Sequence, residues 1–314
     1  MYRQQPKTKI LKGGQSHYLY GARAALKLLN FIINTNIFIS LAAVALTLQS
    51  QVLLGMEPQL HPYLFIIFFA TIFEYNLHRL ITILHNPDAL DDEKHSWVKK
   101  NTKAFYVLVA ASVTGFVIAV LLARPLVLLV LFPIGLITLF YSLPVFKSKK
   151  TIFRLREIPG LKIILISLVW SASTILLPIV QSGHLFPAPH IAAMLLERFL
   201  FVFAITLPFD IRDMRSDQAS GLKTIPLWIG EQNSLRLASL MLLLFAGLAC
   251  LHYTVTKQGF VIPAFVLSAL STLFFIRNKK IRVMKQYHYF VLDGTMLLQG
   301  LLICFSHYLY ISST

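Results

Sequence analysis

Three aspartates, Asp210, Asp213 and Asp217, follow one another at spacings of three and four residues. On a helix these spacings place the three carboxylates on one face, where they repel one another unless positive charge lies among them. Hard divalent cations such as Mg²⁺ suit such a cluster and often bridge it to phosphate groups. Arg212 and Lys223 add donors that suit phosphate oxygens. The pattern indicates either a metal and phosphate site or a solvated helix end with internal Asp–Arg pairs.

The elements that carry these residues are predicted to be membrane spans. The chain of 314 residues is 56% hydrophobic and only 13% charged, whereas soluble domains are about one quarter charged. About 20 consecutive apolar residues cross a hydrocarbon core as a helix. Runs of this kind predict an all-α, polytopic membrane protein with nine transmembrane helices, at about 28–48, 62–84, 104–122, 125–146, 158–180, 190–211, 234–254, 259–276 and 287–310.

The basic residues predict how these spans are oriented. All but three of the 29 lysine and arginine residues fall on one side of the membrane if there are nine spans. Positive charge accumulates on the cytoplasmic side, so we expect the N-terminus inside and the C-terminus outside, in a bacterial inner membrane. The predicted organisation is a basic cytoplasmic segment at 1–27, one transmembrane domain at 28–310 and a short outer tail at 311–314. The net charge of +16 then reflects topology, and no nucleic acid is expected as a partner because no nucleic-acid-binding motif accompanies it.

Two motifs carry a resemblance to a known family. Residues 210–230 read D-I-R-D-M-R-S-D-x-x-x-G-x-K-T-x-P-x-x-x-G, and this stretch resembles the second aspartate-rich motif of the UbiA superfamily of intramembrane prenyltransferases. The segment Tyr141-Ser142-Leu143-Pro144, which leads to Lys147, is similar to that family's Tyr-Ser-x-Pro…Lys segment. Nine helices in a bundle around a cytoplasm-facing cavity are also typical of the family.

The resemblance implies transfer of a polyprenyl group from its diphosphate to an acceptor, which the sequence does not identify, among the membrane lipids. In the family, aspartates hold Mg²⁺ ions that bind the donor diphosphate, and an apolar cavity accommodates the carbocation left by the departing diphosphate. Carried over to this chain, Asp210, Asp213 and Asp217 are the catalytic metal ligands. The diphosphate-binding residues expected beside them are Asn76, Arg79, Tyr141, Lys147, Arg212 and Lys223.

The family's first aspartate-rich motif is degenerate in this chain. Its place, at the end of the second span, is residues 73–84. If Asn76 takes the motif's asparagine position, then Leu77, Leu80 and Leu84 stand where three aspartates belong. Leucine cannot ligate a cation, so we expect at least one metal site of the usual pair to be missing or rebuilt.

Several residues near this position could replace the lost ligands. We expect Arg79 and His78 to contact the diphosphate directly, through charge-assisted hydrogen bonds. Two alternatives stay open: Glu74 supplies a carboxylate, or the acidic loop at 88–93 folds back over the site. Asp293 is an ionisable residue within the ninth span, where such residues are costly and often functional. It is expected to face the same cavity as a partner of Arg79 or as a general base.

A second pair of charges, Glu197 and Arg198, lies within the sixth span. Adjacent residues point about 100° apart on a helix, so each is expected to pair with a different neighbouring helix. We interpret this pair as structural.

The sequence therefore favours a UbiA-like prenyltransferase with an altered diphosphate and metal site. A different class is a non-catalytic relative that binds an isoprenoid lipid or assists a membrane complex, and the degenerate first motif is its support. A transporter is disfavoured because the sequence has no internal hydropathy repeat and no matching pair of broken helices in its two halves.

Overall fold

The structure, a computed structural model, describes residues 25–85, 93–143, 146–148 and 151–313. Within these ranges almost all regular structure is helical. The helices are α1 (Ala25–Asn34), α2 (Ile37–Leu53), α3 (Pro62–His85), α4 (Glu93–Lys100), α5 (Thr102–Leu122), α6 (Pro125–Ser142), α7 (Leu161–Ser182), α8 (Ala188–Ala219), α9 (Ile225–Val255), α10 (Ile262–Arg277), α11 (Lys279–Arg282) and α12 (Asp293–Ser313). Shorter elements are the antiparallel strands β1 (Phe146–Ser148) and β2 (Thr151–Phe153), 3-10 turns at Leu155–Glu157 and Gly259–Val261, and a π-helical segment, Tyr287–Leu292, that leads into α12.

The membrane-spanning architecture is confirmed. Among the described residues, eight helical segments are long and apolar enough to cross a membrane, and α1 with α2 makes a ninth span across a bend. Each predicted span lies on one of them. Helices α8 and α9, of 32 and 31 residues, exceed the roughly 20 residues that a bilayer requires. On α5 and α6, apolar side chains such as Leu121 and Phe132 are exposed, as expected where lipid is the solvent.

The first span is not the continuous helix that the sequence predicts. A bend of 74° separates α1 from α2, and Asn36 at the bend has a φ of 63°. In a membrane, backbone groups freed by such a break need partners within the protein. Arg79 on α3 donates to the Asn34 carbonyl at 2.7 Å, and Asn76 donates to the Thr35 carbonyl at 3.2 Å. Long-range contacts from α3 thus stabilise the break.

We expect Arg79→Ala to lower the stability of the detergent-solubilised protein. Arg79 is only 6% exposed, and its loss removes a donor to the half-buried Asn34 carbonyl, which costs about 1–3 kcal/mol. Thermal unfolding of the variant measures this effect. The exposed Arg277 on α10 is a matched control, and equal melting temperatures for the two variants would contradict the role of Arg79 at the bend.

Glu197 and Arg198 contact different helices, in agreement with their predicted structural role. Glu197 accepts hydrogen bonds from His252 at 2.7 Å and Tyr253 at 3.0 Å, both on α9. Arg198 donates to three oxygens on α2 and α7, those of the Leu46 carbonyl, Thr174 and Ser50. These contacts bind α8 to three neighbours. They lie near the Leu53 end of α2, well away from the aspartates of α8.

One end of the bundle carries the aspartates, together with Arg156, Lys162 and Lys223, and is called the basic end here. Gly160 precedes α7 there with a φ of +71°, in the left-handed region that favours glycine. Its N–H donates to the carbonyl of Lys223, in the connection between α8 and α9. A Cβ at this glycine would lie 3.1 Å from the Trp228 ring on α9. The α8–α9 connection therefore fixes where α7 begins.

We expect Gly160→Ala to lower stability and to displace the first turn of α7. The left-handed conformation costs an alanine about 1–2 kcal/mol, and the added methyl group contacts Trp228 too closely. A thermal unfolding measurement tests the first effect. Gly247→Ala is the control, since a Cβ at that glycine meets open space; an unchanged Gly160→Ala protein would show that this junction tolerates rearrangement.

Candidate active site

A cavity of about 240 Å³ lies between α3, α6 and α7. Its wall is largely apolar and aromatic, with polar groups on the turns nearest the basic end. Such a cavity can hold a hydrocarbon chain beside a polar group. The lining residues are Glu74, Tyr75 and His78 from α3, Ile137, Thr138 and Tyr141 from α6, and Leu165, Ile166, Val169 and Trp170 from α7.

The polar part of the cavity is built by residues from three elements. Ser142 at the end of α6 donates a hydrogen bond to Glu74 at 2.7 Å. The rings of His78 and Tyr141 lie 6.4 Å apart between centroids. Arg156, in the 3-10 turn before α7, contacts the imidazole of His78. A carboxylate, an imidazole, a phenol and a guanidinium group therefore surround one end of an apolar cavity.

Arg154 and Arg156 place positive charge beside this end. Among the described residues, the Nε atoms of both arginines are buried without a hydrogen-bond acceptor, although Glu157 lies 3.6 Å from Arg154 Nε. Burial lowers the pKa of the Arg154 guanidinium from its ordinary value, and the neighbouring positive charge of Arg156 lowers it further. Two guanidinium groups with spare donors are suited to binding a phosphate-like anion.

Lys162 joins two of the three aspartates. Its Nζ lies 2.8 Å from Asp210 Oδ1 and 3.3 Å from Asp217 Oδ2. The side chains are largely buried, at 16% exposed for Lys162, 2% for Asp210 and 10% for Asp217. Lys162, Arg156 and both aspartates lie close enough to Tyr141 for their charges to act on its phenol. The ion-pair cluster and the cavity thus belong to one site.

The third aspartate has a different environment. Asp213 pairs with its neighbour Arg212, whose Nε lies 2.7 Å from Asp213 Oδ1. Arg212 in turn lies over the ring of Tyr289, 5.2 Å from its centroid, in the π-helical segment. Asp213 is 31% exposed at its side chain. Asp210 and Asp217 therefore come together on Lys162, whereas Asp213 pairs with an arginine that lies against the π-helical segment.

These residues do not fit the magnesium site that the resemblance implies. Within the described ranges, no group of three or more His, Cys, Asp or Glu side chains is arranged to hold a metal ion. The position where Asp210 and Asp217 converge is taken by the Lys162 ammonium. Leu77 and Leu80 on α3 offer no ligand.

The remaining predicted site residues lie at several places. Asn76 and Arg79 are engaged at the α1–α2 bend, so a diphosphate contact by Arg79 would require release of those bonds. Lys223 is exposed, and Lys147 lies in β1, where only the backbone is described. Asp293 is buried at the first residue of α12. Of the acidic loop at 88–93, residues 88–92 lie outside the described residues, and Glu93 is the first residue of α4.

Sequence reasoning missed Arg156 and Lys162, which it counted only as markers of topology. For Lys162 a signal was present. It is the second residue of α7, and a positive charge in the first turn opposes the helix macrodipole. A lysine at such a position needs an anionic partner from elsewhere in the protein, and in this structure two aspartates provide it. Arg156 carried no comparable signal.

The fold and this site define a class: a helical multi-pass membrane protein with an apolar cavity and a cationic cluster at one end. The profile of the UbiA prenyltransferase family matches residues 98–290, which is more than half of the chain. The chain therefore belongs to the UbiA prenyltransferase family. A comparison with curated proteins finds no match.

Solved structures show the same fold at low sequence identity. A UbiA homologue from Aeropyrum pernix K1 aligns with a TM-score of 0.60 at 15% identity, over 88% of this chain and 97% of its own. A UbiA homologue from Archaeoglobus fulgidus, bound to GPP and Mg²⁺, aligns with a TM-score of 0.57 at 15% identity, over 86% and 96%. A digeranylgeranylglyceryl phosphate synthase aligns with a TM-score of 0.54 at 14% identity, over 90% and 98%.

Proposed function

We propose that this chain is a prenyltransferase that moves a polyprenyl group from its diphosphate to an acceptor in the membrane. The observation that carries the proposal is the joining of an apolar, aromatic-lined cavity to a cationic cluster. A prenyl diphosphate has these two chemistries in one molecule. The Archaeoglobus homologue, which shares the fold, was solved with prenyl diphosphates.

The basic cluster would bind the diphosphate. Arg156 and Lys162 supply positive charge at the polar end of the cavity, and His78 adds a ring nitrogen. As the allylic C–O bond breaks, its electron pair leaves with the diphosphate, and cations fixed in a water-poor site stabilise the charge that develops there. The protein's own side chains thus act on the leaving group.

The cavity wall would protect and guide the organic cation. Trp170 and Tyr75 present aromatic rings to the cavity, and such rings attract positive charge. The acceptor nucleophile forms a bond to the prenyl C1 and then loses a proton. Glu74, on the same wall and hydrogen-bonded to Ser142, would take that proton.

The alternative is a non-catalytic member of the family that holds an isoprenoid lipid. The observation in its favour is that leucines replace the first aspartate-rich motif, together with the absence of a metal-ligand group among the described residues. Such a protein would bind a prenyl diphosphate and return it unchanged.

Label transfer separates these functions. Purified protein is incubated with labelled geranylgeranyl diphosphate and a panel of quinone-ring precursors, porphyrin derivatives, glycerol phosphates and sugar phosphates. A new labelled lipid with one acceptor supports the transferase. Donor that binds and is recovered intact with every acceptor supports the lipid-binding alternative, and donor that does not bind at all contradicts both.

We also propose that the basic end faces the cytoplasm. The support is the excess of lysine and arginine in the connections at this end. With nine spans, the C-terminus then lies on the outer side. Alkaline phosphatase fused after Thr314 is expected to be active in a bacterial host, since it folds only outside the cytoplasm. An inactive phosphatase with a fluorescent GFP fusion at the same position would reverse the orientation.

A further inference from the structure

The contact between Lys162 and two aspartates has the geometry of a bridged cation site. One positive atom lies within 3.3 Å of oxygens from Asp210 and Asp217, which are seven residues apart on α8. Both oxygens of Asp210 are buried. Among the described residues they have no hydrogen-bond donor other than the Lys162 ammonium. Two buried carboxylates so close together require a cation between them. The chain supplies that cation itself.

The placement of this ammonium depends on several independent features. Two features of Gly160 fix the start of α7 against the α8–α9 connection. Its N–H donates to the Lys223 carbonyl, and its lack of a Cβ leaves room for the Trp228 ring. Lys162 then extends from the first turn of α7 toward α8. It is held there against the unfavourable helix macrodipole by its two carboxylate partners. The position is therefore built into the fold.

Other residues of the site also indicate that side chains supply its positive charge. The leucines of α3 remove ligands for one metal ion, and the pairing of Asp213 with Arg212 removes a ligand from another. In compensation, Arg154 and Arg156 present Nε atoms that find no acceptor within the part of the chain that the structure describes. The Archaeoglobus homologue was solved with Mg²⁺, whereas the positive charges at this site belong to side chains.

We infer that the Lys162 ammonium occupies the place of a divalent cation between Asp210 and Asp217, so that this chain binds a prenyl diphosphate without Mg²⁺. The part that concerns the donor rests on the proposed function. The part that concerns the cation does not, because it is a property of three side chains. Removal of the lysine is therefore expected to create a metal site that the natural protein lacks.

Metal binding alone tests the second part. Thermal unfolding of the full chain is followed with increasing Mn²⁺. For the natural protein we expect no Mn²⁺-dependent rise in melting temperature. For Lys162→Ala we expect a lower starting value and then a rise of about 3 °C or more with Mn²⁺, because a ligand that binds only the folded state stabilises it. Lys279→Ala, at an exposed lysine of α11, is expected to behave like the natural protein.

Two outcomes of the metal titration overturn the inference: stabilisation of the natural protein by Mn²⁺, or a folded Lys162→Ala protein that gains none. Should Lys162→Ala fail to fold, binding of labelled geranylgeranyl diphosphate to the natural protein decides. Affinities within about twofold in EDTA and in Mg²⁺ support the inference, and a tenfold loss in EDTA overturns it. Donor that binds in neither solution contradicts the proposed function and the donor part together, while the Mn²⁺ titration of the natural protein still reports on the cation position.

Discussion

Arg156→Ala is expected to lower kcat/KM for a prenyl diphosphate donor by about 100-fold. Arg156 lies at the polar end of the cavity and contacts His78, and its buried Nε has no acceptor in the described ranges. Hydrogen bonds to charged groups contribute about 1.5–3 kcal/mol each, and 1.4 kcal/mol corresponds to a tenfold change. Initial rates over a range of donor concentrations measure the effect.

A conservative variant and a distant control sharpen this prediction. Arg156→Lys retains the charge but not the planar fork, so we expect it to restore part of the lost rate. Arg277→Ala removes an exposed arginine near the end of α10 and is expected to change kcat/KM less than twofold. If Arg156→Ala retained full activity while correctly folded, the diphosphate would have to bind elsewhere.

The architecture was accessible from the sequence because a bilayer fixes the length of its spans. All nine apolar runs correspond to helices or, for the first, to the bent pair α1–α2. The bend itself was missed. Its residues, Asn34 to Asn36, include no proline or glycine, and the groups that stabilise it come from Arg79 and Asn76, more than 40 positions away. Local pattern cannot reveal a break that is stabilised by tertiary contacts.

The ends of the spans were also less accessible than their centres. The predicted sixth span stops at 211, whereas α8 continues to Ala219, because polar residues continue a helix outside the lipid as readily as apolar ones do inside it. The seventh is predicted from 234, whereas α9 begins at Ile225 and contains a break at Gly230 with a φ of 79°. Hydropathy therefore predicts which part of a helix lies in the bilayer, but it does not predict where the helix ends.

The candidate site was accessible in part. Glu74, His78 and Tyr141 lie on the cavity, and Asp210 and Asp217 converge beside it. Their side chains were found by residue type and motif. The partner that joins the aspartates, Lys162, belongs to another helix, and the sequence offers no distance between helices. The roles of the predicted site residues stay predictions until they are tested.

Asp210→Ala is expected to reduce donor turnover by about 50-fold or more, whereas Asp213→Ala changes it by less than about threefold. Asp210 is buried and holds the Lys162 ammonium at 2.8 Å. Loss of the Asp210 carboxylate leaves the buried Lys162 with one carboxylate partner. The lysine side chain is then free to move out of the site. Asp213 is partly exposed and pairs with a neighbour on the same helix, an arrangement that contributes little.

The sequence motif predicts the same role for all three aspartates, whereas the structure predicts different roles for Asp210 and Asp213. The difference between the two variants tests which prediction is right. Both variants are assayed for donor turnover at saturating donor and for melting temperature, so that a loss of fold is distinguished from a loss of function. Asp210→Asn, which keeps the shape but not the charge, is expected to lie between the natural protein and Asp210→Ala. Equal losses for Asp210→Ala and Asp213→Ala would favour a site in which all three aspartates act together.

Binding of the diphosphate by the basic cluster is tested by a structure of the protein with a thio-diphosphate analogue of geranylgeranyl diphosphate. In this analogue sulfur replaces the oxygen on the prenyl C1, so the bond to C1 ionises far more slowly than in the donor. We expect a diphosphate group within hydrogen-bond distance of Arg156 and Lys162, at about 3 Å, with the prenyl chain along Trp170 and Val169. An analogue bound at the α1–α2 bend beside Arg79, or one whose diphosphate contacts neither Arg156 nor Lys162, would contradict it.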